Sequence, residues 1–192
     1  MLPDDVLSVL LSDARIQQAE LTGSRARGTA SPLSDWDFTV TVTAFEAVRD
    51  AMPSLTAPLQ PVIAQWDRLS RNWCYMMILR GPAKIDLIFA QPHRADPPWL
   101  VSSSTLQQID DHFWDWALWL GSKRLAGRSD VVTLELRKLH AHLLGPLGVA
   151  TVPSDLGQAV VEYQAARDNY EEAFHFRVSR AAETTVLPSV VA

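Results

Sequence analysis

Leu21-Thr22-Gly23-Ser24-Arg25-Ala26-Arg27-Gly28, followed after a short loop by Ser34-Asp35-Trp36-Asp37-Phe38, is the stretch on which the fold turns. The run over 36–42 (WDFTVTV) alternates and is rich in β-branched residues, so it reads as a strand. Asp35 and Asp37 stand two apart at its start. Their carboxylates therefore share one face, and Trp36 points to the other. Two carboxylates held that close repel, so one binds a proton or a cation settles between them. A small set of hard oxygen ligands suits Mg²⁺, which keeps waters and takes further ligands from phosphates. The plainer alternative is a solvated strand start whose acids do nothing.

Gly23-Ser24 bears on that choice. Residues 16–22 (IQQAELT) read as a short strand ending at Gly23. A glycine there lets the backbone approach a ligand, and a short helix after it offers free N–H groups to an anion. Ser24 adds a hydroxyl, and Arg25 and Arg27 add positive charge. This is a phosphate cradle distinct from the Walker loop, since no G-x-x-x-x-G-K-[ST] occurs. A basic turn without a ligand is the competing reading. Ten residues separate Ser24 from Asp35, which makes the cradle and the acid pair one pattern. A third carboxylate then belongs on a neighbouring strand. Asp86, the acid of Ala83-Lys84-Ile85-Asp86-Leu87-Ile88-Phe89, fits. A buried, unpaired carboxylate costs roughly several kcal/mol unless a metal or hydrogen bonds satisfy it. Its alternatives are an edge-strand acid facing water, or an ion pair with Lys84.

Gly-Ser, a spacer, Asp-x-Asp and a later strand aspartate resemble the nucleotidyltransferase fold of the DNA polymerase beta superfamily. The form GSRARG…SDWDF is most similar to a small bacterial branch. That branch holds aminoglycoside and lincosamide nucleotidyltransferases and the minimal nucleotidyltransferase antitoxins. The resemblance is sharp over Leu21 to Val42, fair over Lys84 to Phe89, and architectural beyond. It implies an α+β fold, with a mixed β-sheet nucleotidyltransferase domain and flanking helices over 1–95 and a C-terminal helical domain over 96–192. It also implies that Gly23 and Ser24, with Arg27, hold a nucleoside triphosphate. Asp35, Asp37 and Asp86 would be the catalytic carboxylates and the ligands of two Mg²⁺ ions. Some relatives add a lysine from a helix of the second half; Lys123, one turn beyond Trp119, is the candidate, with a solvated surface lysine as the competitor.

The expected activity is transfer of a nucleoside monophosphate, AMP from ATP by preference, to a hydroxyl of a small acceptor such as an aminoglycoside-like antibiotic. Pyrophosphate leaves. A minimal-type enzyme modifying a partner protein, and a nucleotide-binding module without turnover, are the alternatives. The sequence leaves the oligomeric state open between a lone chain, a homodimer and a protein partner; some relatives build the acceptor pocket across two subunits.

Composition agrees with this frame. The 192 residues are 47% hydrophobic and 20% charged, enough for a sizeable core and too apolar for a disordered chain. With 22 acids against 17 bases the formal charge is −5. Nucleic acid is not the expected partner, because it is met by a basic stripe. One cysteine, Cys74, excludes an internal disulfide framework and a multi-thiolate metal site. No apolar run is long enough for a spanning helix, and Pro3-Asp4-Asp5 opens a helix rather than a signal peptide. A soluble cytoplasmic protein is expected.

The remaining elements follow from periodicity and breakers. Phe45 to Met52 reads as a helix ended before Pro53, and 54–61 as loop. Strands are expected at Val62 to Trp66, Trp73 to Leu79 and Lys84 to Phe89, the last two joined by a turn at Arg80-Gly81-Pro82-Ala83. Three prolines at 92, 97 and 98 end the sheet. Helices are expected over Leu106 to Leu125, Val131 to Leu144, and from a Ser154-Asp155 cap to about Ala182, with Pro188 to Ala192 frayed. The rings Phe113, Trp114, Trp116 and Trp119 either bury their helix or wall an acceptor pocket. The acids Glu162, Asp168, Glu171 and Glu172 alternate with Arg167 and Arg177 as on a solvated or partner-facing helix. The histidines form no metal site.

Overall fold

The first helix of the computed structural model, which describes residues 2–190, is α1 (Leu2–Leu11). Asp4 and Asp5 lie in its first turn, where the helix dipole favours acids. Then come β1 (Ile16–Leu21), a single turn α2 (Gly23–Ala26), β2 (Trp36–Val42), α3 (Phe45–Thr56), β3 (Ile63–Trp66), β4 (Asn72–Leu79) and β5 (Ala83–Pro92). The five strands form one sheet in the order β1-β2-β5-β4-β3. The β2–β5 pair is parallel and the others are antiparallel, so the sheet is mixed. The turn at 80–82 joins β4 to β5 as a hairpin, with Leu79 opposite Ala83.

Strand periodicity sorts the side chains onto two faces. Phe38 and Val40 of β2, Ile85, Leu87 and Phe89 of β5, and Tyr75 and Met77 of β4 make one apolar face. Val6 and Leu10 of α1 and Val48 and Met52 of α3 complete that core. Each such side chain, fully buried, contributes roughly 1.5–3 kcal/mol. The other face of β2 and β5 carries Asp37 and Asp86, which the register sets directly opposite each other.

Pro53 does not end α3, which runs on to Thr56. An interior proline loses its bond to the carbonyl four residues back and crowds that carbonyl, which kinks a helix as readily as it breaks one. Side chains hold the next turn instead. Thr56 Oγ1 donates to the Met52 carbonyl at 2.7 Å and Ser54 Oγ to Ala51 at 2.9 Å. A 3₁₀ turn over Ala57–Leu59 follows, so 54–61 is mostly helical rather than loop.

A first unit ends at Asp96 and a second, all-helical one begins at Pro97. The second holds α4 (Leu106–Leu125), α5 (Ser129–Leu139) with a π-helical extension over His140–Leu144, α6 (Leu156–Phe174) and α7 (Ala181–Val190). α4 is buried on nearly every side, its Phe113 stacked on Tyr163 at 3.7 Å between centroids. Phe113, Trp114 and Trp116 are core rings, which settles them as packing. Asp155 caps α6 by accepting from the Gln158 N–H at 2.9 Å.

The single helix expected from 155 to about 182 is two. His175 takes a left-handed conformation (φ 50°) and stops α6. Glu171 then fixes the returning chain: it accepts the Val178 N–H at 3.0 Å, and Arg177 and Arg180 each at 2.7 Å. The charges of α6 are not all solvated either. Arg167 is 3% exposed and pairs with Asp110, Asp168 and Glu183, while Glu171 is buried. Residues 188–190, expected to fray, lie in α7 with Val190 buried; 191 and 192 fall outside the described residues.

Candidate active site

Parallel pairing of β2 with β5 brings the three sequence-predicted carboxylates together. Asp37 stands opposite Asp86, and Asp35 precedes Asp37 by two residues. Asp35, Asp37 and Asp86 each offer an oxygen within 4.8 Å of the others. Asp35 is 8% exposed, whereas Asp37 and Asp86 are half-buried. Acids this close, on rigid strands, are what a hard divalent cation requires. Among the described residues no histidine joins such a group.

The Gly-Ser turn lies against this cluster. The backbone N–H of Thr22 donates to the Asp37 carbonyl at 2.7 Å, and its hydroxyl to the same atom at 3.2 Å. Gly23 then turns with φ +68°, and a Cβ there would sit 2.0 Å from Asp37 Oδ2. Glycine is therefore required twice, by its backbone angle and by the carboxylate above it. Ser24 is half-buried in the same turn, its carbonyl accepting the Thr29 N–H at 2.9 Å. Arg27 is exposed at the end of the turn.

Arg25, noted in the sequence only for its charge, holds the loop. Its Nε donates to the Ser34 carbonyl at 2.9 Å and Nη2 to the Pro32 carbonyl at 3.2 Å. The guanidinium also lies 3.9 Å over the Trp36 ring. Burial lowers its pKa, and the charges of Asp35 and Asp37 pull it back. One side chain thus ties α2 to the residues on either side of Asp35. No motif marks that role, because it depends on the loop folding back.

Lys84 enters the site too. It lies two residues before Asp86 on the same face of β5. Its Nζ is 2.6 Å from Asp86 Oδ1, and it is 5% exposed. The two sequence readings of Asp86, third carboxylate and partner of Lys84, hold together. Lys84 thus stands among the three carboxylates, and the Arg25 guanidinium feels the charges of Asp35 and Asp37. Lys123 belongs to the second unit, half-buried on α4, with Nζ 4.7 Å from the Trp119 ring.

A glycine-serine turn after β1, paired aspartates on β2 and a third on the parallel strand beside it complete the pattern. It is the arrangement of residues that the resemblance drawn from the sequence implies. No family model and no curated protein matches the chain. Solved structures similar to it include the following two. One is an aminoglycoside 6-adenyltransferase from Bacillus subtilis, 11% identical with a TM-score of 0.40, the alignment covering 97% of this chain and 95% of that one. The other is the polymerase core of TRAMP, an RNA surveillance complex, 12% identical with a TM-score of 0.37, over 96% of this chain and 54% of that one. No helix among the described residues is long and apolar enough to cross a membrane.

Proposed function

We propose that this chain transfers a nucleoside monophosphate, AMP from ATP by preference, to a hydroxyl of a small acceptor such as an aminoglycoside-like aminocyclitol. Pyrophosphate is the other product. The observation that carries this reading is the convergence of Asp35, Asp37 and Asp86 within 4.8 Å beside the Gly23 turn. The donor set fits Mg²⁺: carboxylate oxygens only, on two paired strands. Asp35, Asp37 and Asp86 would hold it. When bound, Mg²⁺ lowers the pKa of the attacking hydroxyl and offsets charge on the leaving group.

The chain's own residues supply the rest. Gly23 keeps the backbone low, so that the turn and the Ser24 hydroxyl face a polyphosphate beside Asp37. Arg27 adds a positive charge at the rim. Arg25 fixes the loop that carries Asp35. Asp86, opposite Asp37, is placed to take the acceptor proton. The bond formed joins acceptor oxygen to the α-phosphorus; the bond broken is the one between the α-phosphorus and the bridging oxygen that leaves with pyrophosphate.

The test is a pyrophosphate-release screen with ATP, GTP, CTP and UTP against pooled aminoglycosides, lincosamides and sugars. Mg²⁺-dependent release with ATP and at least one pool is expected. Release that needs no divalent cation, or none from any pair, contradicts the reading.

A further inference from the structure

We propose that the acceptor lies along the open half of the sheet face that carries the carboxylates, over Thr39 and Thr41 of β2 and Gln18 and Glu20 of β1, and that Glu20 selects acceptors bearing an ammonium group. This rests on the transfer reading above and adds to it where the acceptor lies and which residue chooses it.

The register places these residues. Asp37 is level with Asp86, and Met76 of β4 continues that row. Two residues further along β2, Thr39 stands between Glu20 and Ile88, and Gln18 is opposite Thr41. Side chains at alternate strand positions share a face, so all of these lie on the face of Asp37 and Asp86. That face divides at β5. Towards β4 and β3 it is closed, with Cys74, Met76, Ile78 and Ile63 buried. Towards β1 it is open, with Gln18, Glu20, Thr39 and Thr41 all exposed.

In-line displacement sets the attacking and leaving oxygens on opposite sides of the phosphorus. The Gly23 turn, where the polyphosphate would end, starts beside Asp37 and runs back towards Ser34, ahead of β2. The acceptor must then come from the other direction, that of Thr39 and Thr41, and this is the open strip. Glu20 carries the strip's charge. Gln18 Nε2 donates to its Oε1 at 2.6 Å, which steadies the carboxylate. By strand spacing and rise, Glu20 stands roughly 8 Å from Asp37 and roughly 12 Å from Asp86 along the sheet. An acceptor whose attacked hydroxyl sits at Asp86 would thus meet Glu20 with an ammonium one or two rings away. A carboxylate that receives charge-assisted hydrogen bonds discriminates against a neutral acceptor of the same shape.

Titration calorimetry on the chain in Mg²⁺ and a non-hydrolysable ATP analogue tests this without turnover. The probes are aminocyclitols of two and three rings, and the same compounds with every amine acetylated, which keeps the rings and removes the charge. At least one free amine is expected to bind, about tenfold or more tighter than its acetylated form. Glu20→Gln is expected to erase that preference, weakening the amine by about tenfold and leaving the acetylated form and the ATP analogue within about twofold. Thr39→Lys sets an ammonium in the strip and is expected to weaken the same amine by about tenfold or more, again with the ATP analogue unmoved. Glu46→Gln removes an exposed acid from α3, on the opposite face, and is expected to change nothing. Equal binding of free and acetylated amines overturns the proposal, as does no binding of any amine to the nucleotide-loaded chain. So does full affinity in Glu20→Gln or Thr39→Lys, or an equal loss in Glu46→Gln. An ATP analogue that itself fails to bind with Mg²⁺ marks a different failure, that of the transfer reading, and takes the proposal with it.

Discussion

Each unit gathers charged side chains in a protected place, and the two do so in opposite ways. In the first, Asp35, Asp37 and Asp86 crowd together, with Lys84 and Arg25 beside them. In the second, Asp110, Arg167, Glu171, Arg180 and Glu183 interleave acid with base. Asp110 accepts from Tyr163 Oη at 2.6 Å and from Trp114 Nε1 at 3.3 Å, with Arg167 at 3.5 Å. Glu171 feels burial pushing its pKa up, yet Arg180 and Arg177 hold it at about 2. A network whose charges answer one another is architecture. Three carboxylates brought within reach of one another on paired strands attract a cation, and that convergence is what marks a candidate site.

The comparison breaks most visibly at Asp37. Asp37→Asn is expected to cut Mg²⁺-dependent transfer by about a thousandfold or more while the thermal melt barely moves. A large fall in Tm with activity retained would make Asp37 architectural. The converse holds at Arg167. Arg167→Met removes the cation that Asp110 and Glu183 share and leaves them to Tyr163, Trp114, Gln164 and Arg180, so unfolding is expected to be easier by about 1–3 kcal/mol in a denaturant titration. Nucleotide binding by the fraction that remains folded should be unchanged.

Smaller effects sharpen the contrast. Gly23→Ala drives a methyl into Asp37 and into an unfavourable backbone angle. A loss of about 1–3 kcal/mol in stability is expected, together with weaker Mn²⁺ binding; unchanged metal affinity would separate the turn from the cluster. Arg25→Gln releases Ser34 and Pro32, and about tenfold weaker Mn²⁺ binding is expected from a looser Asp35, with a fall of about 1 kcal/mol in stability.

The helical unit also carries a pH signature. Burial raises Asp110 to about 6, and burial with the neighbouring Asp110 charge raises Asp111 to about 7, despite the Gln107 hydrogen bond. A carboxyl whose folded pKa lies above its unfolded value favours the folded state below the unfolded pKa and loses that contribution as pH rises through the folded one. Glu171 works the other way and is lost only towards pH 2. Stability should therefore fall by about 1–3 kcal/mol between pH 4 and 8, and Asp111→Asn should flatten the profile by helping at pH 8 and not at pH 4. A profile that rises towards pH 8 would contradict these assignments.

Local chemistry explains what the sequence made legible. Gly23, Asp35 and Asp37 lie within one strand–turn–strand, and Asp86 betrays itself as an acid in an apolar strand. The five strands follow from period two and from the glycine and proline breaks. What escaped depends on distant partners. Arg25 looks like phosphate-binding charge until the loop folds back under it. Arg167 and Glu171 alternate like surface residues, and only packing against Asp110 and the α6–α7 return shows them buried. His175 breaks a helix with no glycine or proline to announce it. Pro53 failed in the other direction, since Thr56 and Ser54 hydroxyls carried the helix past it.

The central claim is that three aspartates from β2 and β5 form a divalent-cation site for a nucleotide. Anomalous diffraction from crystals soaked with Mn²⁺ and a non-hydrolysable ATP analogue tests it most directly. The account predicts strong peaks bridging Asp35, Asp37 and Asp86, with the triphosphate against the Gly23-Ser24 turn. Peaks elsewhere, or nucleotide bound with no Mn²⁺ on these carboxylates, would contradict it.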